Sequence, residues 1–293
     1  MILYDYILRV RDRSEKPAGL RDQGFSSNSS LSFLLVGSTL LIMSCSNLEA
    51  NKPEARAAFS IPRIAQAMDS ISTDSLVHMN YLDAARIRYW GKFRFAGSLD
   101  LDAERDSFPR EDHIRSGPYY SRIDPSIGTD GLQITSDYSS TILINDGYSG
   151  DGPKYPVFLY NETTRPKVLW GKDSRVFALQ EAVDSSGQWR PIEGAPNFSD
   201  GFGQWGEVIR PGQFVVFGMT KYAGNYQTAL RIRLINGSTA YVSQPVRAYI
   251  NYDQFRLESG SYYSELMARD PHTTILRSFY WSVPLEYKPT EAE

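Results

Sequence analysis

Between Tyr155 and Ile250 the chain is divided into short apolar segments separated by turn residues, and that segmentation leaves few folds open. Tyr155–Asn161 reads as a strand closed by the turn-like Glu162-Thr-Thr-Arg-Pro166. Ser174–Asp184 is apolar on most of both faces, with Val176, Ala178 and Ala182 alternating with Phe177, Leu179 and Val183, which suits an interior strand. Ser185-Ser-Gly-Gln188 is a turn, and Trp189–Glu193 is its return strand. Glu207–Arg210 and Gln213–Thr220 flank the tight turn Pro211-Gly212. Gly224–Ile235 is a long alternating strand, Asn236-Gly237 a hairpin signal, and Thr239–Ile250 the return. Six or seven short strands at this spacing predict a β-sandwich.

The landmarks fall in a recognisable order: Asn161 after the first strand with Thr163 two residues on, Trp189 after a hairpin turn, Pro211-Gly212, then Tyr226 opening a long strand. This order resembles bacterial immunoglobulin-like domains. The resemblance covers about residues 155–250. It implies an immunoglobulin-like sandwich at 154–252, with Tyr226 in the place of the tyrosine corner. The chain departs from antibody-type domains in lacking their cysteine pair, and Thr228 stands where the second would fall. A fold of this kind implies no particular activity.

Upstream the expectation is a smaller β-rich region, 61–153, making the whole all-β. Residues 56–72 have helix-like apolar spacing, which predicts a short helix from about Arg63 to Ser70. From Arg86 the period changes, and Ile87, Tyr89, Phe93 and Phe95 alternate with Arg88, Lys92 and Arg94 as in a half-buried strand. Leu132–Ile134 and Ser140–Ile144 predict two more strands. Asn145–Pro153, crowded with Gly and Asp, predicts a major loop or domain boundary. At the other end, residues 253–293 contain the apolar stretch Thr274–Leu285, expected as strands that pack back on the N-terminal region.

A different signal sits near the start. Leu31–Met43 is mostly apolar, too short for the roughly 20 residues of a comfortable membrane span and right for the core of a signal peptide. Ile42-Met43-Ser44-Cys45 resembles the lipobox of bacterial lipoproteins, and with the sandwich behind it the chain is similar to uncharacterised Bacteroidetes-type lipoproteins. The resemblance implies cleavage before Cys45, acylation of Cys45, and a polar tether at 45–60. It also implies a location in the cell envelope, most simply on the outer membrane. Thirty residues before the apolar run are too many for an ordinary leader, so 1–44 reads as a signal peptide with an upstream extension from a misplaced start.

Removing residues 1–44, which hold five of the 31 Lys and Arg and four of the 34 Asp and Glu, leaves a net charge of −4. That argues against a nucleic-acid partner, which needs a basic surface. The single cysteine excludes an internal disulfide.

The chemistry on offer is sparse. Gly201-Phe-Gly-Gln-Trp-Gly206 matches a dinucleotide motif in letters, but Pro211-Gly212 follows too soon for the helix such a motif needs, so no cofactor is expected. Asp146 and Asp151 are too few carboxylates for calcium, and Asp100, Asp102, Glu104 and Asp106 read as a solvated edge, so no metal is expected. His78, His113 and His272 are scattered, and no catalytic motif appears. Aromatic contacts remain. Trp170, Trp189, Trp205 and Trp281 are of the type that stacks on sugars or anchors proteins. Trp189 is assigned to the core, and Trp205 in its glycine-rich loop with Phe198 and Phe202 is the leading exposed contact, with Trp170 beside it. Three functions rank in order: a lipid-anchored, non-catalytic module binding a protein or glycan, a carbohydrate-active or accessory protein, and a structural envelope spacer.

Overall fold

Two antiparallel sheets carry the main core, and both ends of the described chain wrap onto them. The computed structural model of the protein describes residues 58–69, 71–101, 113–115, 126–144, 152–173, 175–197, 203–285 and 287. They belong to one compact unit, Ala57–Glu293. The signal-peptide segment, Cys45, most of the tether and the Asn145–Asp151 cluster lie outside the described residues. The principal strands are β1 (Arg88–Arg94), β2 (Gln133–Ser136), β3 (Ile142–Ile144), β4 (Gly152–Tyr160), β5 (Lys167–Lys172) and β6 (Ala178–Val183). They continue as β7 (Trp189–Pro191), β8 (Gln204–Ile209), β9 (Gln213–Thr220), β10 (Tyr226–Asn236), β11 (Thr239–Val242) and β12 (Val246–Ile250).

The first sheet has the order β1-β9-β4-β2, with β3 also on β4. The second has the order β7-β6-β10-β11, with β12 beside β11 along β10. A third ladder pairs β5 with β8, extended by Arg175–Val176 and His113–Arg115. Alternation explains what faces what. Val157 and Leu159 of β4 and Val215 and Phe217 of β9 meet Ala178 and Ala182 of β6 and Leu230, Ile232 and Leu234 of β10, all buried. The fold is therefore all-β in its main body, as the segmentation requires.

The strands read upstream of 153 do not make a sheet of their own. β1, β2 and β3 complete the first sheet around β4 and β9. The outward face of that sheet is apolar too, with Phe158, Phe214 and Val216 beside Trp90 and Phe93. Ile64, Leu99 and Leu101 cover it, and the Phe59 ring stacks 4.1 Å from that of Tyr160. The helix expected at Arg63–Ser70 is absent for this reason. Arg63–Ile64 runs extended beside Ser98–Leu99, and Met68 bridges to Thr141, because extended backbone finds partners on the sheet that a helix would forgo.

The C-terminal stretch is the larger correction. In place of strands it forms α1 (Tyr262–Arg269) and α2 (Pro271–Ser278). Asp270 caps α2 by accepting from Thr273 N at 3.0 Å, with Pro271 at the first position, a start signal in the sequence that the apolar run obscures. Tyr263, Met267 and Phe279 pack on Leu82. Tyr263 also packs against Gly194, where a Cβ would come within 2.5 Å of the ring. Beyond α2, Tyr280 crosses the second sheet and buries against Phe177, Leu179, Ala195 and Ile235.

Candidate ligand-binding face

The expected exposed contact at Trp205 is overturned. Gly203 turns the chain at φ 81°, β8 begins at the next residue, and Trp205 pairs directly with Gly171. The missing side chain at Gly171 lets the indole lie against its backbone, and the ring stands 4.7 Å from Tyr89. Trp205 is 5% exposed and its Nε1 donates to the Asp173 carbonyl at 2.6 Å. Trp170 is half-buried against the cluster around Tyr280. Phe198 and Phe202 lie outside the described residues. The landmark Asn161 is buried, accepting from Thr163 N and Oγ1 and donating to the carbonyls of Arg165 and Ile209. Tyr226 opens β10, yet its hydroxyl donates to Val183 on β6, a contact across the sheet and not the local one of a tyrosine corner.

Polar chemistry is concentrated in two buried places. Between the sheets, Glu193 accepts from Gln180 N at 2.9 Å, Gln180 Nε2 at 3.1 Å and the Tyr222 hydroxyl at 2.7 Å. The Tyr155 hydroxyl donates to Gln180 Oε1 at 2.8 Å, and Lys154 donates to the Arg86 carbonyl and Thr220 Oγ1. Burial raises the Glu193 carboxyl to about 7, against the pull of the Tyr222 and Gln180 donors and the Lys154 charge. Beside β8, Lys92 pairs with Glu207 at 2.9 Å and donates to the Val208 carbonyl at 3.0 Å. Burial first, and the Glu207 charge second, push the Tyr89 hydroxyl far up. Both groups lie under packed strands and bind the layers together.

The open chemistry is on the outward face of the second sheet. Glu181, 1% exposed, accepts from Arg231 Nε and Arg233 Nε, each at 2.7 Å. Burial raises its carboxyl, and Arg233, Ser282 and Arg231 more than offset that, so it lies below the usual carboxylate range. The Arg231 guanidinium also lies 4.0 Å over the Trp189 ring, so Trp189 is half-buried as a stacking platform and not a core residue. Further along the same face, Arg247 stands opposite Ala229 and Tyr249 opposite Gln227. Tyr249 is 51% exposed.

Trp281 lies on the C-terminal strap, whose neighbouring residues pack on this face. Its neighbours are tied down: Tyr280 is buried on Leu179 and Ile235, Ser282 sits against Glu181, and Arg190 Nη1 donates to the Val283 carbonyl at 3.2 Å. Tyr280 and Trp281 both hold left-handed backbone, φ 50° and 66°, which costs bulky residues energy and turns the indole outward, 42% exposed. The sequence named Trp281 among its aromatics but carried no sign of this geometry, which depends on the helix before it. Comparison with protein-family models, with curated proteins and with solved structures finds no match.

Proposed function

We propose that the protein is an exported, lipid-anchored binding module of the bacterial cell envelope, acting without catalysis and holding a glycan through the outward face of its second sheet. The observation that carries the binding role is the face built from Trp189, Arg231, Arg233, Tyr249 and Trp281. It presents aromatic rings and guanidinium groups together, held by a buried carboxylate and a strained strap. Such a surface offers stacking and directed hydrogen bonds at low entropic cost, since its side chains are already positioned. Supporting the compartment, an apolar run with a lipobox-like end, Ile42–Cys45, precedes the folded body in the sequence.

The strand pairing supports an immunoglobulin-like reading of residues 154–252. β4 pairs with β9 in one sheet, while β6 pairs with β10 and β10 with β12 in the other. Two measurements test the proposal. Cells fed a labelled fatty acid should label the wild type and not Cys45→Ser, which should leave the membrane fraction. A glycan array probed with residues 45–293 should give signals lost in Tyr249→Ala and Trp281→Ala; an array empty for the wild type would end the binding reading.

A further inference from the structure

We infer that the face takes an acidic saccharide, one whose sugar carboxylate is read by arginine; this rests on the glycan-binding proposal and narrows it. The first ground is the unbalanced charge. Along β10 the outward positions Gln227, Ala229, Arg231 and Arg233 carry two arginines, and β12 adds Arg247. Against these three cations the same face of β6, β10, β11 and β12 offers one carboxylate, Glu181. The neighbouring Asp184 is satisfied by Arg190 at 3.0 Å. A chain of net charge −3 therefore carries a local surplus of positive charge where its aromatics are exposed.

The second ground is donor geometry. Arg231 and Arg233 each give Glu181 only their Nε, and both side chains remain 19% exposed. Glu181 engages the Nε atoms and not the terminal nitrogens, and a guanidinium edge matches a carboxylate with two parallel hydrogen bonds. Glu181 thus acts as a positioning residue, locking two forks so that little freedom is lost on binding. The third ground is shape. Ala229 leaves a low floor between Arg231 and the Tyr249–Arg247 edge, and from Arg233 to Gln227 the strand runs ~20 Å, room for a chain of sugars. Tyr249 on β12 and Trp281 on the strap, both exposed, supply stacking rings.

Calorimetric titration of the mature protein with oligogalacturonate, and with the same oligomer fully methyl-esterified, separates the outcomes. The acidic form should bind at least tenfold tighter than the ester, and raising salt should narrow that gap. Arg247→Gln, an exposed site, should lose several-fold in affinity with unchanged unfolding. Arg233→Lys keeps the charge and removes the fork, and should lose tenfold. If Arg233→Lys fails to fold, Arg247→Gln and the ester comparison still decide. Equal binding of ester and acid, lost in Tyr249→Ala, overturns the acidic specificity while leaving a glycan module. Tighter binding of a sulfated oligosaccharide than of the uronate also overturns it, since carboxylate recognition is the claim. Silence towards every glycan overturns the underlying proposal with it.

Discussion

Glu193 is held in conflict at the scale of one residue. Gln180 and Tyr222 both donate to it, which favours the carboxylate, while complete burial favours the neutral acid, and burial prevails. With a folded value of about 7 against 4.5 for the free side chain, the folded protein keeps a proton that the unfolded chain has released between those pH values. Its stabilising contribution is therefore complete below about pH 4.5, declines as pH rises towards 7, and is gone above, a span on the order of 3 kcal/mol. Urea unfolding across pH 4.5–8 should show that decline, and Glu193→Gln should remove it. Glu181 and Asp184 have the opposite sign: their carboxyls lie low in the fold, so their support is lost as pH falls through the folded values. Asn161 is a second decisive residue. Asn161→Ala removes four bonds, one of them to the buried Ile209 carbonyl, and should cost about 2 kcal/mol in the same assay, a value near zero being inconsistent with those bonds.

Turns and caps decide the outcome at the scale of elements. Gly212 has φ 78° after Pro211, and Gln213 N donates back to the Arg210 carbonyl at 3.0 Å, closing the turn between β8 and β9. Gly212→Ala should destabilise by about 1 kcal/mol, read as a lower thermal midpoint, because only the backbone geometry is disturbed. The hairpin after β10 is one residue off its sequence signal. Asn236 pairs with Thr239, so Gly237 and Ser238 make the turn. Asn236 is instead a buried clamp, donating to the Val168 carbonyl at 2.7 Å and accepting from Trp170 N at 2.9 Å. On the strap, glycine suits φ 66° better than tryptophan does. Trp281→Gly should therefore raise stability by about 1 kcal/mol while abolishing the glycan binding proposed above. A loss of stability would mean that the indole serves packing and not a ligand.

For the whole molecule, layers at both ends depend on the sandwich. Phe59, Ile64 and Leu99 seal one outward face, and Tyr280 seals part of the other. Each fully buried aromatic there contributes roughly 1.5–3 kcal/mol, so neither cover is ornamental. Residues 57–293 should then unfold in a single calorimetric transition, and ending the chain at 252 should abolish it by exposing Phe177, Leu179 and Leu82. Two resolved transitions would show that the C-terminal helices are an independent appendage.

The sequence by itself determined the β character of the body, the positions of most strands from Arg86 onward, and the turn at Pro211-Gly212. These follow from period and turn chemistry, which act over a few residues. It also singled out the anchor at Cys45 as an expectation. Tertiary structure alone decided the rest. Whether 61–153 formed its own sheet depended on which strand edges β4 and β9 left open, and long-range pairing has no local signature. The end of the chain is a mixed case: the Asp270 cap and Pro271 that start α2 are local signals, while the burial of Tyr280 beyond it depends on the second sheet. Trp205 and Trp281 carry the same side chain and end in opposite environments, because Gly171 gave one a surface to lie on while the strap left the other exposed.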